Sequence, residues 1–393
     1  MQYLIDQFAD AIRTAAGHRT SLNIRGGGTK DFYGNCPVRG SGQPHIKPGS
    51  YHNGEVDFLD VASYAGMVDY EPTELVVTAR SGTRLADLEA ELYKHGQMLA
   101  FEPPHFGSDA TLGGCVAAGL SGPRRASAGA VRDFVLGVRM LDGRGDDLSF
   151  GGQVMKNVAG YDVSRLMTGS MGTLGVLLEV SLKVLPIPAM ELTLRFEMDQ
   201  AEAIESMNNW AGKPLAISAT CFRDGELTLR LSGAEPAVRA AYAKLGGEEI
   251  PRGEAFWASV REQTHPFFKE DKGNEDKGDE DNGGEEKKGN KDLWRLSIKS
   301  TIPPLSLPGE QLIEWGGALR WLIADHENAE AVRTTIHKTA SEAGGHATLF
   351  KTNGPRTDVF QPLAPPMMTI TQRLKEKFDP KRLFNPGRMY PQI

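Results

Sequence analysis

Two hydrophobic periods alternate along this chain, and they divide it into readable pieces. Residues 2–16 carry Leu4, Ile5, Phe8, Ala11 and Ile12 at spacings of three and four, which predicts an amphipathic helix. The run 21-SLNI-24 predicts a short strand entering a glycine turn, and residues 33–52, rich in Gly, Pro and Ser, predict a loop. Short strands around a turn are expected in 56-VDFLDVASYAGMVDYEP-72. The segment 74–96 predicts a strand, a turn and a helix from about Arg84 to His95. The run 98-MLAFEPP-104 reads as strand and stops at two prolines. From 107 to 185, glycine-rich turns alternate with apolar runs at 133–143, 153–167 and 174–186. The last of these is a strand ended by Pro186 and Pro188.

A second pattern begins at 191-ELTLRFEM-198. Helix is expected at 200–210, strands at 215–222 and 226–233, and helix again at 235–246. This order predicts an antiparallel sheet with helices on one face. Residues 269–292 hold ten acids, six lysines and no apolar side chain, which predicts a solvated, disordered insert. The core pattern resumes with strands at 293–301 and 311–323, the second open to a break at Gly316-Gly317, and a helix at 327–343. The insert therefore interrupts one domain and does not separate two. The chain closes with a helix to Phe378 and a compact turn around Pro380 and Pro386.

Composition narrows the function classes. With 393 residues, 44 basic against 51 acidic and a net charge of -7, the chain is long enough for two or three cored domains and gives no support for a nucleic-acid surface. The three cysteines, Cys36, Cys115 and Cys221, form neither a CxxC pair nor a metal cluster, so no metal and no iron–sulfur cluster is expected on this chain. The first residues read as neither a signal nor a transit peptide, and no apolar run reaches membrane-spanning length. The expected compartment is the cytoplasm, with membrane contact only through partners.

The chemistry concentrates in glycine. In 25-RGGGTK-30, three successive glycines allow close backbone approach, and their N–H groups can form a nest for phosphate oxygens between Arg25 and Lys30. A P-loop would need GxxxxGK followed by Ser or Thr, whereas Asp31 follows Lys30. A Rossmann fingerprint would need GxGxxG opening a helix, whereas this run continues into a polar loop. Two further stretches, 107-GSDATLGGCVAAGLSG-122 and 169-GSMGTLG-175, supply the several bare walls that a long cofactor needs.

These motifs together resemble the FAD-linked oxidases of the vanillyl-alcohol oxidase (PCMH) type. The match rests on RGGGT, on 103-PPHFGSDATLGGCVAAGLSG-122, on 156-KNVAGYDVSRLMTGSMGTLGVLLEVSLKVLP-186 and on 379-DPKRLFNPGRM-389, all in family order. The resemblance implies an α+β fold: a two-part PCMH-type FAD-binding domain at 1–187 and a second α+β cap domain of antiparallel sheet and helices. The cap is expected at 188–365 with the insert at 269–292, and residues 366–393 are expected to pack back on the FAD domain. Within the family the chain looks most like the small FAD-binding subunits of glycolate oxidase (glycolate dehydrogenase). That likeness implies a larger FAD-containing subunit and an iron–sulfur subunit as partners, and glycolate or a related 2-hydroxy acid as substrate.

The cofactor contacts expected on this basis are Arg25, Gly26, Gly27, Gly28, Thr29, Lys30, Pro103, Pro104, Gly107, Ser108, Ala110, Thr111, Gly113, Gly114, Ala117, Gly119, Gly122, Asp162, Gly172, Gly175 and Val176. Asp162 either orients a loop over the flavin or caps a helix. Thr29 stands where family members with histidyl-bound flavin carry His, so FAD is expected to be non-covalent, and Cys115 reads as a packed thiol. A 2-hydroxy acid needs a cation for its carboxylate and a base for its hydroxyl proton. The weak candidates are Arg320, His346 and Lys351, and the chain lacks the histidine-rich substrate motif of the active members. The leading expectation is an FAD-binding subunit of a glycolate oxidase complex that oxidises glycolate to glyoxylate and passes electrons to an iron–sulfur subunit. A self-sufficient dehydrogenase and a non-catalytic flavoprotein scaffold are its rivals.

Overall fold

A computed structural model describes residues 1–36, 57–152, 162–269, 291–326 and 329–393. The acidic insert, apart from its flanks, and Tyr161 lie outside the described residues. The chain divides into two compact units, one of residues 1–188 with 357–393 and the other of residues 189–356.

The first unit opens with α1 (Gln2–His18), whose stripe of Ile5, Phe8, Ala9, Ile12 and Ala15 is buried. Each large apolar side chain so buried contributes roughly 1.5–3 kcal/mol. Strand β1 (Leu22–Arg25) pairs in parallel with β2 (Asp57–Asp60). Strands β3 (Met67–Glu71) and β4 (Val76–Arg80) follow, then α2 (Leu85–Lys94), the two-residue β5 (Gln97–Met98) and α3 (Leu112–Ala118). Two single-turn helices, α4 (Arg125–Ala128) and α5 (Val131–Phe134), lead into β6 (Val135–Leu141) and β7 (Asp147–Gly151). Helix α6 (Val163–Leu166) precedes β8 (Val176–Lys183) and the short β9 (Leu185–Pro186).

The main sheet of this unit has the order β3-β4-β8-β6-β7 and is antiparallel throughout. One core lies between the sheet, α2 and α3, with Leu85, Leu88, Leu92, Leu112 and Val116 fully covered. A second joins α1, β1 and β8 to Leu383 and Phe384 of the closing segment.

The second unit is an eight-stranded sheet. Its strands are β10 (Met190–Glu197), β11 (Ile217–Arg223), β12 (Glu226–Gly233), β13 (Glu248–Glu249), β14 (Lys291–Ser297), β15 (Glu310–Glu314), β16 (Leu319–Asp325) and β17 (His346–Lys351). Their order is β13-β10-β12-β11-β15-β16-β14-β17, and every pairing is antiparallel. Helices α7 (Gln200–Ala211) and α8 (Glu235–Leu245) bury Ala203, Ile204, Met207 and Val238 against the sheet. Farther along the chain lie α9 (Gly253–Arg261) and α10 (Ala329–Glu342). Strands before and after the acidic insert share this one sheet. The fold is thus α+β in both units. No helix among the described residues is long and apolar enough to cross a membrane.

One local expectation is overturned, and other elements were not expected. Residues 99–104 do not continue a strand: Leu99–Phe101 turn inward as buried residues and Glu102 adopts positive φ. The apolar run 133–143 is the end of a helix followed by a strand. Helix α9 and strand β17 were not expected from the sequence.

The closing helix α11 (Pro365–Phe378) buries one side chain, a lysine in its last turn. Lys375 is completely covered, and its Nζ donates to Asp379 Oδ2 at 2.7 Å, to Thr173 O at 2.7 Å and to Phe384 O at 2.8 Å. Asp379 in turn accepts from the backbone N–H groups of Leu383 and Phe384 at 2.9 and 2.8 Å. Every donor of the ammonium has an acceptor, which is the condition under which a buried charge is tolerated. The pair ties the last helix to the loop 169–175. Lys375→Met leaves Asp379 as an uncompensated buried charge and should cost about 3–5 kcal/mol. Urea unfolding checks this, and a loss under about 1 kcal/mol would show that the pair does not hold the segment in place.

Candidate cofactor site

The site is assembled from four backbone segments of the first unit. Strand β1 delivers the glycine run. Its register is held by the closing segment: Leu22 N–H donates to Leu383 O at 2.8 Å, and Asn385 N–H returns to Leu22 O at 3.0 Å. Asn385 also accepts from Ile24 N–H at 2.8 Å and donates from Nδ2 to Met171 O at 2.6 Å. One amide side chain thereby fixes β1 to the 169–175 loop.

Beyond β1 the backbone is bare for a steric reason. A Cβ on Gly27 would lie 1.5 Å from Asp109 O, and one on Gly26 would lie 2.4 Å from Thr111 Oγ1. Gly28 sits at φ +72, where an L side chain is strained. The N–H groups of Gly26, Gly27, Gly28 and Thr29 donate to no protein acceptor among the described residues. Four successive unpaired amides without side chains in the way make an array that can receive anionic oxygens. Arg25 and Lys30 flank it. Arg25 pairs with Asp31 at 2.9 Å and lies over the Phe58 ring. Lys30 donates to His105 O at 3.2 Å and lies over the Phe106 ring.

The second segment follows the same logic. Thr111 caps α3 by accepting from Gly114 N–H at 3.3 Å. Gly113 presses on the turn after β4, where its N–H donates to Ser81 O at 2.7 Å and a Cβ would lie 2.7 Å from Ser81 Cβ. At the helix end, Gly119 packs on the backbone of Gly169.

Between the segments lies a cavity of about 70 Å³. It is lined by Gly26, Gly113, Gly114, Ala117, Gly172 and Gly175 of the expected residues, and also by Ile24, Val61, Ser81, Ser170, Met171, Leu177 and Asn385. Those seven were not singled out as cofactor contacts. Asn385 stood in the closing NPG motif and Ser81 in a strand-to-helix turn, so the only signals were position in a motif and a polar residue beside a glycine.

The other expected residues do not line this cavity. Gly107 abuts Thr29, with a Cβ position 3.0 Å from Thr29 Cγ2. Ser108 is exposed, whereas Pro103, Pro104, Ala110 and Gly122 are buried in the turns that frame α3. Val176 is fully buried in the core at the start of β8. Asp162 caps α6, accepting from Arg165 N–H at 3.1 Å and pairing with the Arg165 guanidinium. Cys115 is buried on α3, and burial pushes its thiol up to about 12, so it carries no thiolate at neutral pH.

The three candidates for substrate chemistry belong to the second unit and do not converge. Arg320 is 1% exposed, and each of its three guanidinium nitrogens donates to a backbone carbonyl, of Gly317, Pro303 and Ile302. His346 and Lys351 mark opposite ends of β17, roughly 16 Å apart at the usual strand rise. Burial lowers Lys351 to about 8, and His346 is exposed. Among the described residues no three His, Cys, Asp or Glu side chains are grouped to hold a metal ion.

Comparison with known proteins agrees with this geometry. Residues 5–151 match the family described as FAD binding domain. The chain is 46% identical over 392 residues to glycolate oxidase subunit GlcE of Escherichia coli (strain K12), covering 100% of this chain and 98% of that one. It is 29% identical to glycolate oxidase subunit GlcD of Bacillus subtilis (strain 168), over 48% of this chain and 37% of that one. Among solved structures, an alkyldihydroxyacetonephosphate synthase superposes on 97% of this chain and 74% of its own with a TM-score of 0.62 at 14% identity, which is a likeness of fold. The cofactor is FAD, held without a covalent bond, and the chain belongs to the family of the glycolate oxidase subunit GlcE.

Proposed function

We propose that this chain is the flavin-holding subunit of a glycolate-oxidising assembly and that it does not oxidise glycolate by itself. The observation that carries the reading is the contrast between the two units. Among the described residues, the first presents four unpaired amides beside a glycine-lined cavity, and the second offers no convergent cation and base. When bound, FAD supplies a two-electron acceptor.

The chain's own residues do the holding. The N–H groups of Gly26, Gly27, Gly28 and Thr29 receive the pyrophosphate oxygens, and Arg25 and Lys30 add positive potential at the rim. Gly113, Gly114, Gly172 and Gly175 let the central chain of the cofactor lie against bare backbone. Thr111, by capping α3, fixes the turn that carries two of those glycines. Cys115, protonated and packed, leaves the flavin unlinked.

Full-length identity to a glycolate oxidase subunit supports the assembly. Its other members would be a larger FAD-containing subunit, which oxidises glycolate to glyoxylate, and an iron–sulfur subunit, which takes the electrons. Any membrane association of this otherwise cytoplasmic chain would come through them. The self-sufficient dehydrogenase reading fares worse, because Arg320 is committed to three carbonyls.

Two outcomes are expected. Gly27→Ala drives a methyl group into Asp109 O and should weaken FAD binding at least 100-fold while circular dichroism retains both sheets. Affinity within threefold of the parent would refute the amide-nest assignment. The purified chain loaded with FAD should keep its 450-nm flavin band (~450 nm, the usual flavin absorbance) when mixed anaerobically with glycolate. Bleaching by the chain alone would establish the self-sufficient dehydrogenase instead.

A further inference from the structure

Ser81 stands at the end of β4, in the turn before α2, and its backbone is fixed on both sides. Its N–H donates to Leu178 O at 2.7 Å, and its carbonyl accepts from Gly113 N–H at 2.7 Å. The residue is 1% exposed. Its hydroxyl is buried and has no hydrogen-bond partner among the described residues, although it borders the glycine-lined cavity. Buried hydroxyls in folded proteins are nearly always paired, so an unpaired one on a cavity wall points to a partner beyond the described residues. Much of the surrounding wall is apolar or bare, with Ile24, Val61, Leu177 and Gly113; its other polar side chains are Ser170 and Asn385, the latter already bonded to Ile24 N–H and Met171 O.

We infer that Ser81 is a cofactor-binding residue whose hydroxyl donates a hydrogen bond to an oxygen of the pyrophosphate–ribitol chain of FAD. The inference rests on the FAD site proposed above and adds to it the one side-chain donor that the cavity wall provides from the β4–α2 turn. It also explains why Gly113 must lack a side chain. A Cβ there would collide with Ser81 Cβ and push the hydroxyl off the wall. A threonine at position 81 would add a methyl group in the same crowded space, so serine is the smallest residue that keeps the donor.

The test compares parent and Ser81→Ala chains, both stripped of flavin, by FAD titration and by thermal melting without flavin. In the flavin-free protein the hydroxyl makes no bond, so its removal should leave the melting temperature unchanged or raise it. The FAD dissociation constant should rise about tenfold, the worth of one hydrogen bond whose acceptor is left buried. An FAD affinity within twofold of the parent overturns the inference. So does a fall in the flavin-free melting temperature, which would make Ser81 a structural residue. A parent chain that binds no FAD would overturn the cofactor site as a whole, and is distinguished by failing before the variant is compared.

Discussion

Backbone lying directly on backbone is the constraint from which the rest of this site follows. Residues 26 and 27 rest against Asp109 and Thr111, residue 113 rests against Ser81, and residue 119 rests against Gly169. None of these contacts leaves room for a β-carbon, and Gly26, Gly113 and Ser81 among them line one cavity. Along the first of these segments the N–H groups of Gly26, Gly27, Gly28 and Thr29 have no protein acceptor among the described residues, so they remain open to whatever occupies the space. A binding surface made of amides and glycine suits a long, anionic, extended ligand, and it gives no leverage on a small hydroxy acid.

Such thin walls need support from behind, and the end of the chain supplies it. Asn385 joins Ile24 to Met171, and the Lys375–Asp379 pair joins α11 to Thr173 and Phe384. The charges are buried, so the arrangement is costly to assemble and costly to break. What it secures is geometry: β1, which carries the glycine run, and the 169–175 loop, which forms the facing wall, are both tied to residues near the C-terminus. The closing motif therefore acts on the cofactor site through position, more than through contact.

The sequence exposed those parts of this arrangement that depend on residue type at a fixed spacing. Glycine runs were readable because few other reasons put three glycines between a strand and a basic residue. The strand expected at 311–323, open to a break at Gly316-Gly317, is two strands, β15 and β16, with both glycines at positive φ between them. The periodic helix α1 showed its buried stripe directly.

What stayed hidden depended on pairing. Arg320 looked like a carboxylate ligand beside a glycine pair, but strand register turns it inward against three carbonyls. Ser81 looked like any turn serine, since its isolation from hydrogen-bond partners exists only once Gly113 and Leu178 have taken its backbone groups. The central claim is that this bare-backbone site holds one FAD per chain without a covalent bond. Flavin counted per chain in the purified holoprotein, before and after acid precipitation, tests it most directly. The account predicts about one FAD per chain, all released into the acid supernatant. Flavin that stays with the precipitate, or a fully folded chain that takes up none on reconstitution, would contradict it.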